Sequence, residues 1–302
     1  MNKSNRRNFA ASMIKGKMIN WSLFILLSVI WGSSFILMKL SSTQLNGWQI
    51  ASVRIFSAGL VFLPFAFVHL SKIPRNKLGL IILSGLFGNL IPAYLFAIAI
   101  DKNLNSSLAG ILNSLTPILV IIIGILFFKT RIHLKKIAGV LIGFVGLLIL
   151  SLSKGGITGA NFLFALFILL ATLSYAINVN LVNYFLKGVD PFKAATISLA
   201  FICIPAAIVL WQQRLFFLLM NDADYRLPVL AAVVLGILGS AVATVLFYML
   251  IKRAGGIFAS LVTYGIPIIA ILWGLVYGET ITVVQIGCLA LILSGVYLAN
   301  RA

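Results

Sequence analysis

Acidic side chains are nearly absent from this chain. Of 302 residues only 5 are Asp or Glu, against 23 Lys or Arg, and charged residues of either sign make up 9%. With only 2 His and 2 Cys besides, the sequence offers no carboxylate pair, no HExxH and no Ser-His-Asp arrangement. Hydrolytic and transferase chemistry therefore has no acid, base or nucleophile cluster to run on, and the chain reads as a non-enzyme. Cys203 and Cys288 both fall inside apolar runs, which suits small core residues and offers no disulfide or metal spacing. There is no P-loop, hence no ATP-driven pump within this chain, and nothing calls for a cofactor or metal.

What is present in quantity is apolar sequence. Hydrophobic residues make up 62% of the chain and the mean hydropathy is +1.14. Ten runs of about twenty nearly uncharged residues recur, over 20–40, 48–69, 78–99, 105–127, 134–152, 160–184, 193–212, 228–251, 256–277 and 283–300. Barrel strands are shorter and alternate in polarity, so these runs predict an all-α integral membrane protein with ten transmembrane helices.

The net charge of +18 would suggest nucleic acid in a soluble protein, but its placement points elsewhere. Counting alternate gaps between the runs, one set holds 17 of the Lys and Arg residues and the other, which includes Lys39, Arg54 and Lys102, holds 6. Positive charge collects on the cytoplasmic side, so both termini are expected in the cytoplasm, with no nucleic-acid partner. Asp101, Asp222, Asp224 and Glu279 fall on the opposite side. Residues 1–19 form a basic tail; no small-residue cleavage site follows, and the first run is read as a retained helix.

The chain also repeats itself. Placing Pro117 on Pro267 places Gly124 on Gly274 and Asn113-Ser114 on Thr263-Tyr264. In the same order, Trp31, Ser34 and Met38 fall on Ala171, Ser174 and Asn178, Pro64 on Pro205, and Gly146 on Gly295. Two units result, 20–152 and 160–302, each with five spans. Because five is odd, the second unit must run through the membrane upside down relative to the first. Inverted repeats of this kind let a central site open alternately to either side, which predicts transport.

The two prolines free the carbonyls of Asn113 and Thr263, and polar side chains stand beside both, so Pro117 and Pro267 are expected to kink spans 4 and 9 at a substrate-contacting point. No Asp or Glu lies at the centre of a span, and His69 and His133 sit at the cytoplasmic edge. Two cations, Lys39 and Arg54, approach the core from the outer side and would bias a cavity toward anionic groups, with Asp101 and Glu279 as outer-side partners. The polar and aromatic residues within spans include Trp31, Ser34, Met38, Asn89, Tyr94, Asn113, Tyr175, Asn178, Thr244, Tyr248, Thr263 and Tyr264. Facing stripes of this kind would line a cavity suited to an amphipathic small molecule. Small residues such as Gly85, Gly88, Gly139, Gly143, Gly146, Gly287 and Gly295 are expected at close helix contacts.

These residues resemble a known family. WGSSFILMK at 31–39 followed by Arg54, the SLTP…G pattern around Pro117, and IPIIAILWGLVYGE ending at Glu279 are similar to EamA-type members of the drug/metabolite transporter superfamily. The resemblance spans both halves. It implies ten helices in two inverted repeats around a cavity made mainly by spans 1, 3, 4, 6, 8 and 9, and export of amino acids, other metabolites or toxic compounds at a bacterial inner membrane. The family often carries a Glu after both the fourth and ninth spans; Glu279 fits, while Thr130 occupies the first-half position, where it could still cap a helix. The expected protein is a secondary exporter of small amphipathic metabolites in the inner membrane, monomeric or homodimeric. A nucleotide-sugar or phosphorylated-metabolite exchanger of the same superfamily, or a non-transporting membrane subunit, are the alternatives.

Overall fold

The computed structural model describes residues 3–102, 106–153, 162–276 and 282–301. Every regular element among them is helical. Span 1 is Lys3–Ser41, span 2 Gly47–Leu70, span 3 Arg75–Asp101, and span 4 the helix pair Ser106–Asn113 and Thr116–Phe128. Spans 5, 6 and 7 are Leu134–Ser153, Phe162–Phe185 and Pro191–Gln212. Span 8 is Ala223–Ala254, span 9 the pair Gly256–Ser260 and Val262–Val276, and span 10 Val283–Arg301. Nine of these are long and apolar enough to cross a membrane among the described residues; the remaining helix, Leu134–Ser153, has 20 residues and packs along span 10. The outward faces carry bare apolar side chains such as Phe67, Phe127 and Trp211, exposed by 73%, 76% and 80%. Such faces are tolerable only against lipid, and the chain is a multi-pass membrane protein.

The packing has a two-fold pattern in span number. Spans 2 and 7 lie against each other, as do 5 and 10. The contact of span 1 with 9 is matched by that of 6 with 4, 3 with 6 by 8 with 1, and 2 with 8 by 7 with 3. Each of these contacts turns into its partner when five is added to or subtracted from the span number. The starts of spans 2 and 7, equivalent in the two halves, are capped locally. Asn46 and Gln49 form a reciprocal capping box at span 2, and the Asp190 carboxylate accepts from the Lys193 amide at span 7.

Two matched glycines let spans 2 and 7 approach the spans beside them. A Cβ on Gly236 would stand 2.0 Å from Ser57 Oγ and 2.4 Å from the Arg54 carbonyl oxygen; one on Gly85 would stand 2.8 Å from the Ser198 carbonyl oxygen. Ser57 and Ser198 themselves align when Pro64 is placed on Pro205, so the two crossings are copies of one another. Immediately after each glycine the helix widens into a π-turn, Leu86–Leu90 in span 3 and Ile237–Val242 in span 8. The aligned sequences GLFGN and GILGS make these turns.

Spans 4 and 9 are broken, but at positions that only partly match the expectation. In span 4 the break falls at Ser114-Leu115, and Pro117 lies in the first turn of the next helix, where its missing amide costs nothing. The Asn113 carbonyl is taken by the Thr116 hydroxyl at 2.6 Å. In span 9 the break is at Leu261, and Pro267 sits well inside Val262–Val276 rather than at the break. There the Thr263 hydroxyl donates to the Ser260 carbonyl at 2.9 Å, the same three-residue device as in span 4. At each break a hydroxyl satisfies the last carbonyl of the first segment, with or without a proline beside it.

The 5–10 crossing depends on glycine. A Cβ on Gly295 would lie 2.4 Å from the Gly143 amide nitrogen and one on Gly139 2.5 Å from that of Ala299, whereas Gly287 has nothing within 4 Å and is not a packing point. Gly295→Ala is therefore expected to lower the melting temperature of the purified protein, at a cost of about 1–3 kcal/mol for overpacking. Gly287→Ala should leave it unchanged; equal melting curves for the two variants would contradict this packing.

Candidate functional site

Spans 1, 3, 4, 6, 8 and 9 surround a central cavity of about 130 Å³, with one residue contributed by span 2. The structure brings together Trp31, Ser34 and Met38 of span 1, Asn89 of span 3, Asn113 of span 4, Tyr175 and Asn178 of span 6, Thr244 and Tyr248 of span 8, and Thr263 of span 9. Arg54 of span 2 joins them. Three expected residues stand elsewhere. Lys39 is exposed at the end of span 1. Tyr94 pairs its hydroxyl with Ser52 at 2.6 Å and packs on Trp48. Tyr264 is fully buried against span 5, where its hydroxyl donates to the Val140 carbonyl at 3.0 Å and its ring covers Gly143. Its neighbour Thr263 faces the cavity instead, because adjacent helical residues point about 100° apart. Pro117 and Pro267 shape spans 4 and 9 without lining the cavity. Glu279 lies outside the described residues.

The two π-turns form matching walls. Widening a turn breaks the regular i→i−4 ladder and leaves carbonyls to be bonded from the side, which is why such turns recur at functional sites. Here the Gly239 carbonyl accepts the Trp31 indole N–H at 3.0 Å, and Arg54 donates through Nε to Ser240 Oγ at 2.8 Å. On the other wall a Cβ at Gly88 would strike the Asn178 amide nitrogen at 2.4 Å, and Thr244 donates to Asn89 Oδ1 at 3.1 Å. The first span of each half thus closes on the π-turn of the opposite half. Gly88, Gly239 and the cavity-lining Thr116, Phe35, Phe96 and Phe247 are absent from the sequence-based set. The duplicated G-x-x-G-[N/S] spacing marks the glycines; nothing in one sequence marks the phenylalanines, whose type is common to every apolar run.

The cavity is closed at one end. Tyr248 places its hydroxyl 3.4 Å from both the Ser84 carbonyl and Asn178 Oδ1. Beyond it, Asn180 donates to the Val120 carbonyl at 3.1 Å, and the rings of Phe128 and Tyr184 stack at 4.3 Å, with Thr130 hydrogen-bonded to the Tyr184 hydroxyl. The Thr130 amide donates to the Gly124 carbonyl at 3.1 Å, so this residue finishes span 4 rather than capping the helix that follows. At the opposite end the lining is apolar, with Phe35, Met38, Phe96 and Ile100. Asp101, a suggested partner for the cations there, lies 3.8 Å from Lys102 instead. Among the described residues there is no group of three or more metal-ligating side chains.

An all-helical membrane protein whose two five-span halves enclose a polar-aromatic cavity has the architecture of a small-molecule carrier. The chain matches the EamA-like transporter family twice, over residues 19–152 and 162–301, and belongs to that family. It is 24% identical, over 94% of its length and 99% of theirs, to an uncharacterized transporter of Archaeoglobus fulgidus. It is 26% identical to the inner membrane transporter YedA of Escherichia coli K12, covering 91% of this chain and 88% of that protein. It is also 26% identical to a protein of Salmonella typhimurium named as a probable amino-acid metabolite efflux pump, covering 91% and 93%. A solved crystal structure shares the fold with a TM-score of 0.67 at 18% identity, over 94% of this chain and 96% of that one.

Cysteine scanning tests the wall. In a background lacking the two buried cysteines, Thr263→Cys should react with a water-soluble methanethiosulfonate at least about tenfold faster than Val262→Cys, because thiol reactivity requires access. Equal rates would place Thr263 outside an aqueous cavity.

Proposed function

We propose that this protein is a secondary transporter that exports small amphipathic metabolites, amino-acid-like compounds among them, across the inner membrane by alternating access. The observation that carries the reading is a central cavity walled by equivalent devices from both halves, with hydrogen bonds crossing it at the Tyr248 end. If the halves exchange roles, the closing contacts made by spans 3, 6 and 8 re-form among spans 8, 1 and 3, and the cavity opens to the other side. The bias of 17 of 23 Lys and Arg residues toward the side of the termini supports assigning the Tyr248 end of the cavity to the cytoplasmic side.

The lining favours a body that is partly aromatic or aliphatic, with a few polar groups. Trp31 and Phe247 meet at 5.2 Å and Phe96 and Tyr175 at 6.3 Å, while Asn113, Asn178 and Thr263 supply hydrogen-bonding capacity. The name of the Salmonella relative supports amino-acid-related cargo. Nucleotide sugars fit less well, since a diphosphate calls for several cations and Arg54 is the cavity's one Lys or Arg among the described residues.

No carboxylate lines the cavity among the described residues, so transport down the substrate's own gradient needs no proton. Cells producing the protein should survive higher concentrations of toxic amino-acid analogues than cells without it. Flux of the protective compound from proteoliposomes should persist when a protonophore collapses the proton gradient. Complete, reversible loss of flux on collapse would refute uncoupled transport, and no protection across the panel would refute export.

A further inference from the structure

Arg54 is the feature that the architecture does not account for. Placing Pro64 on Pro205 puts Ser57 on Ser198 and Arg54 on Ala195. The two neighbourhoods are otherwise alike: each serine donates to the carbonyl three residues back, Arg54 or Ala195, and each span lies against the glycine that precedes a π-turn. The crossing of span 7 with span 3 and its π-turn therefore forms with a fully buried alanine at the position where span 2 has a guanidinium. The charge is not needed to form this junction.

Among the described residues the charge also has no acidic partner. The partners of Arg54 are neutral, Ser240 Oγ at 2.8 Å and the Gly239 carbonyl at 3.5 Å, and the ion pair found among the described residues is the remote one between Lys102 and Asp101. A guanidinium inside a membrane span without a counter-charge is a costly arrangement, and its fork matches a carboxylate. A second loose end lines the same cavity. The Asn113 side-chain oxygen is buried with no hydrogen-bond partner, a vacancy that a ligand N–H would fill.

Building on the transport reading above, we propose that Arg54 is the substrate anchor, and that the substrate class is carboxylate-bearing: the ligand's carboxylate supplies the counter-ion that the described residues do not. Apolar walls from Trp31, Phe35 and Phe96 take the ligand's body, and Asn113 takes an N–H where the ligand has one. The site selects acids over their neutral or cationic amides, because removing the carboxylate leaves the guanidinium unpaired.

The test uses acid–amide pairs that differ at one group: phenylacetate and phenylacetamide, L-leucine and L-leucinamide, L-phenylalanine and L-phenylalaninamide. Binding to the purified full-length protein is followed by thermal shift and calorimetry, in wild type, Arg54→Lys and Arg54→Gln. In wild type, the acid of each binding pair should bind about ten- to a hundredfold more tightly, the range of a charged hydrogen bond. Arg54→Lys should keep a preference for the acid, and Arg54→Gln should reduce it to within about twofold. Without ligand, Arg54→Gln should melt no lower than wild type, an outcome that a structural arginine would not give. Equal binding of acid and amide by wild type, an acid preference that survives Arg54→Gln, or an Arg54→Gln protein that cannot be purified folded would each overturn the anchor while leaving transport standing. Wild type that binds neither member of any pair would remove the amino-acid-like cargo on which the anchor rests.

Discussion

Lipid offers no hydrogen bonds to a bare backbone, and that constraint governs where this protein departs from the regular α-helix. The departures are few: π-turns in spans 3 and 8 and breaks in spans 4 and 9. All four border the central cavity, and three have a carbonyl taken by a side chain. Thr116 and Thr263 hydroxyls take the carbonyls at the breaks, and the Trp31 indole takes one at a π-turn. Pro64 and Pro205 interrupt the amide ladder of spans 2 and 7 on exposed faces as well. The four interruptions at the cavity differ in standing beside polar side chains, which is the property a carrier's binding site needs.

Duplication explains most of the architecture, and the places where the copies differ carry the most information. Gly85 and Gly236, and Ser57 and Ser198, are equivalent in both sequence and contact, and Gly88 and Gly239 each meet the first span of the opposite half. Against that background Trp31 faces Ala171 and Arg54 faces Ala195 as unmatched pairs. A residue required by the junction itself would be expected twice. One present once belongs to something asymmetric, and a ligand bound in a pseudo-symmetric cavity is asymmetric.

Much of the cavity was readable from residue type and helical spacing. Polar groups inside apolar runs are expensive, so Asn89, Asn113, Asn178 and Thr244 stood out, and all four border the cavity. The same rule misplaced Tyr94 and Tyr264, because a hydroxyl is satisfied as well by one serine or one carbonyl on a neighbouring helix as by a cavity. It also misplaced Lys39, whose long stem reaches the exposed end of span 1. Pro267 drew attention to span 9 but not to the position of its break, where a threonine hydroxyl takes the last carbonyl.

By itself, the sequence determined that the chain is a helical membrane protein, where its apolar runs fall, and that motifs of one half return in the other. These follow from composition and order along the chain, to which solvent transfer and charge respond locally. The tertiary structure alone decided which face of each span meets the cavity, that G-x-x-G-[N/S] becomes a π-turn, that Thr263 lines the space while Tyr264 plugs a helix crossing, and that Arg54 meets only neutral partners among the described residues. Those outcomes depend on a neighbour some 120 to 190 residues away, as Tyr264 on Val140 and Arg54 on Ser240 do, and no local pattern encodes how such a neighbour is turned.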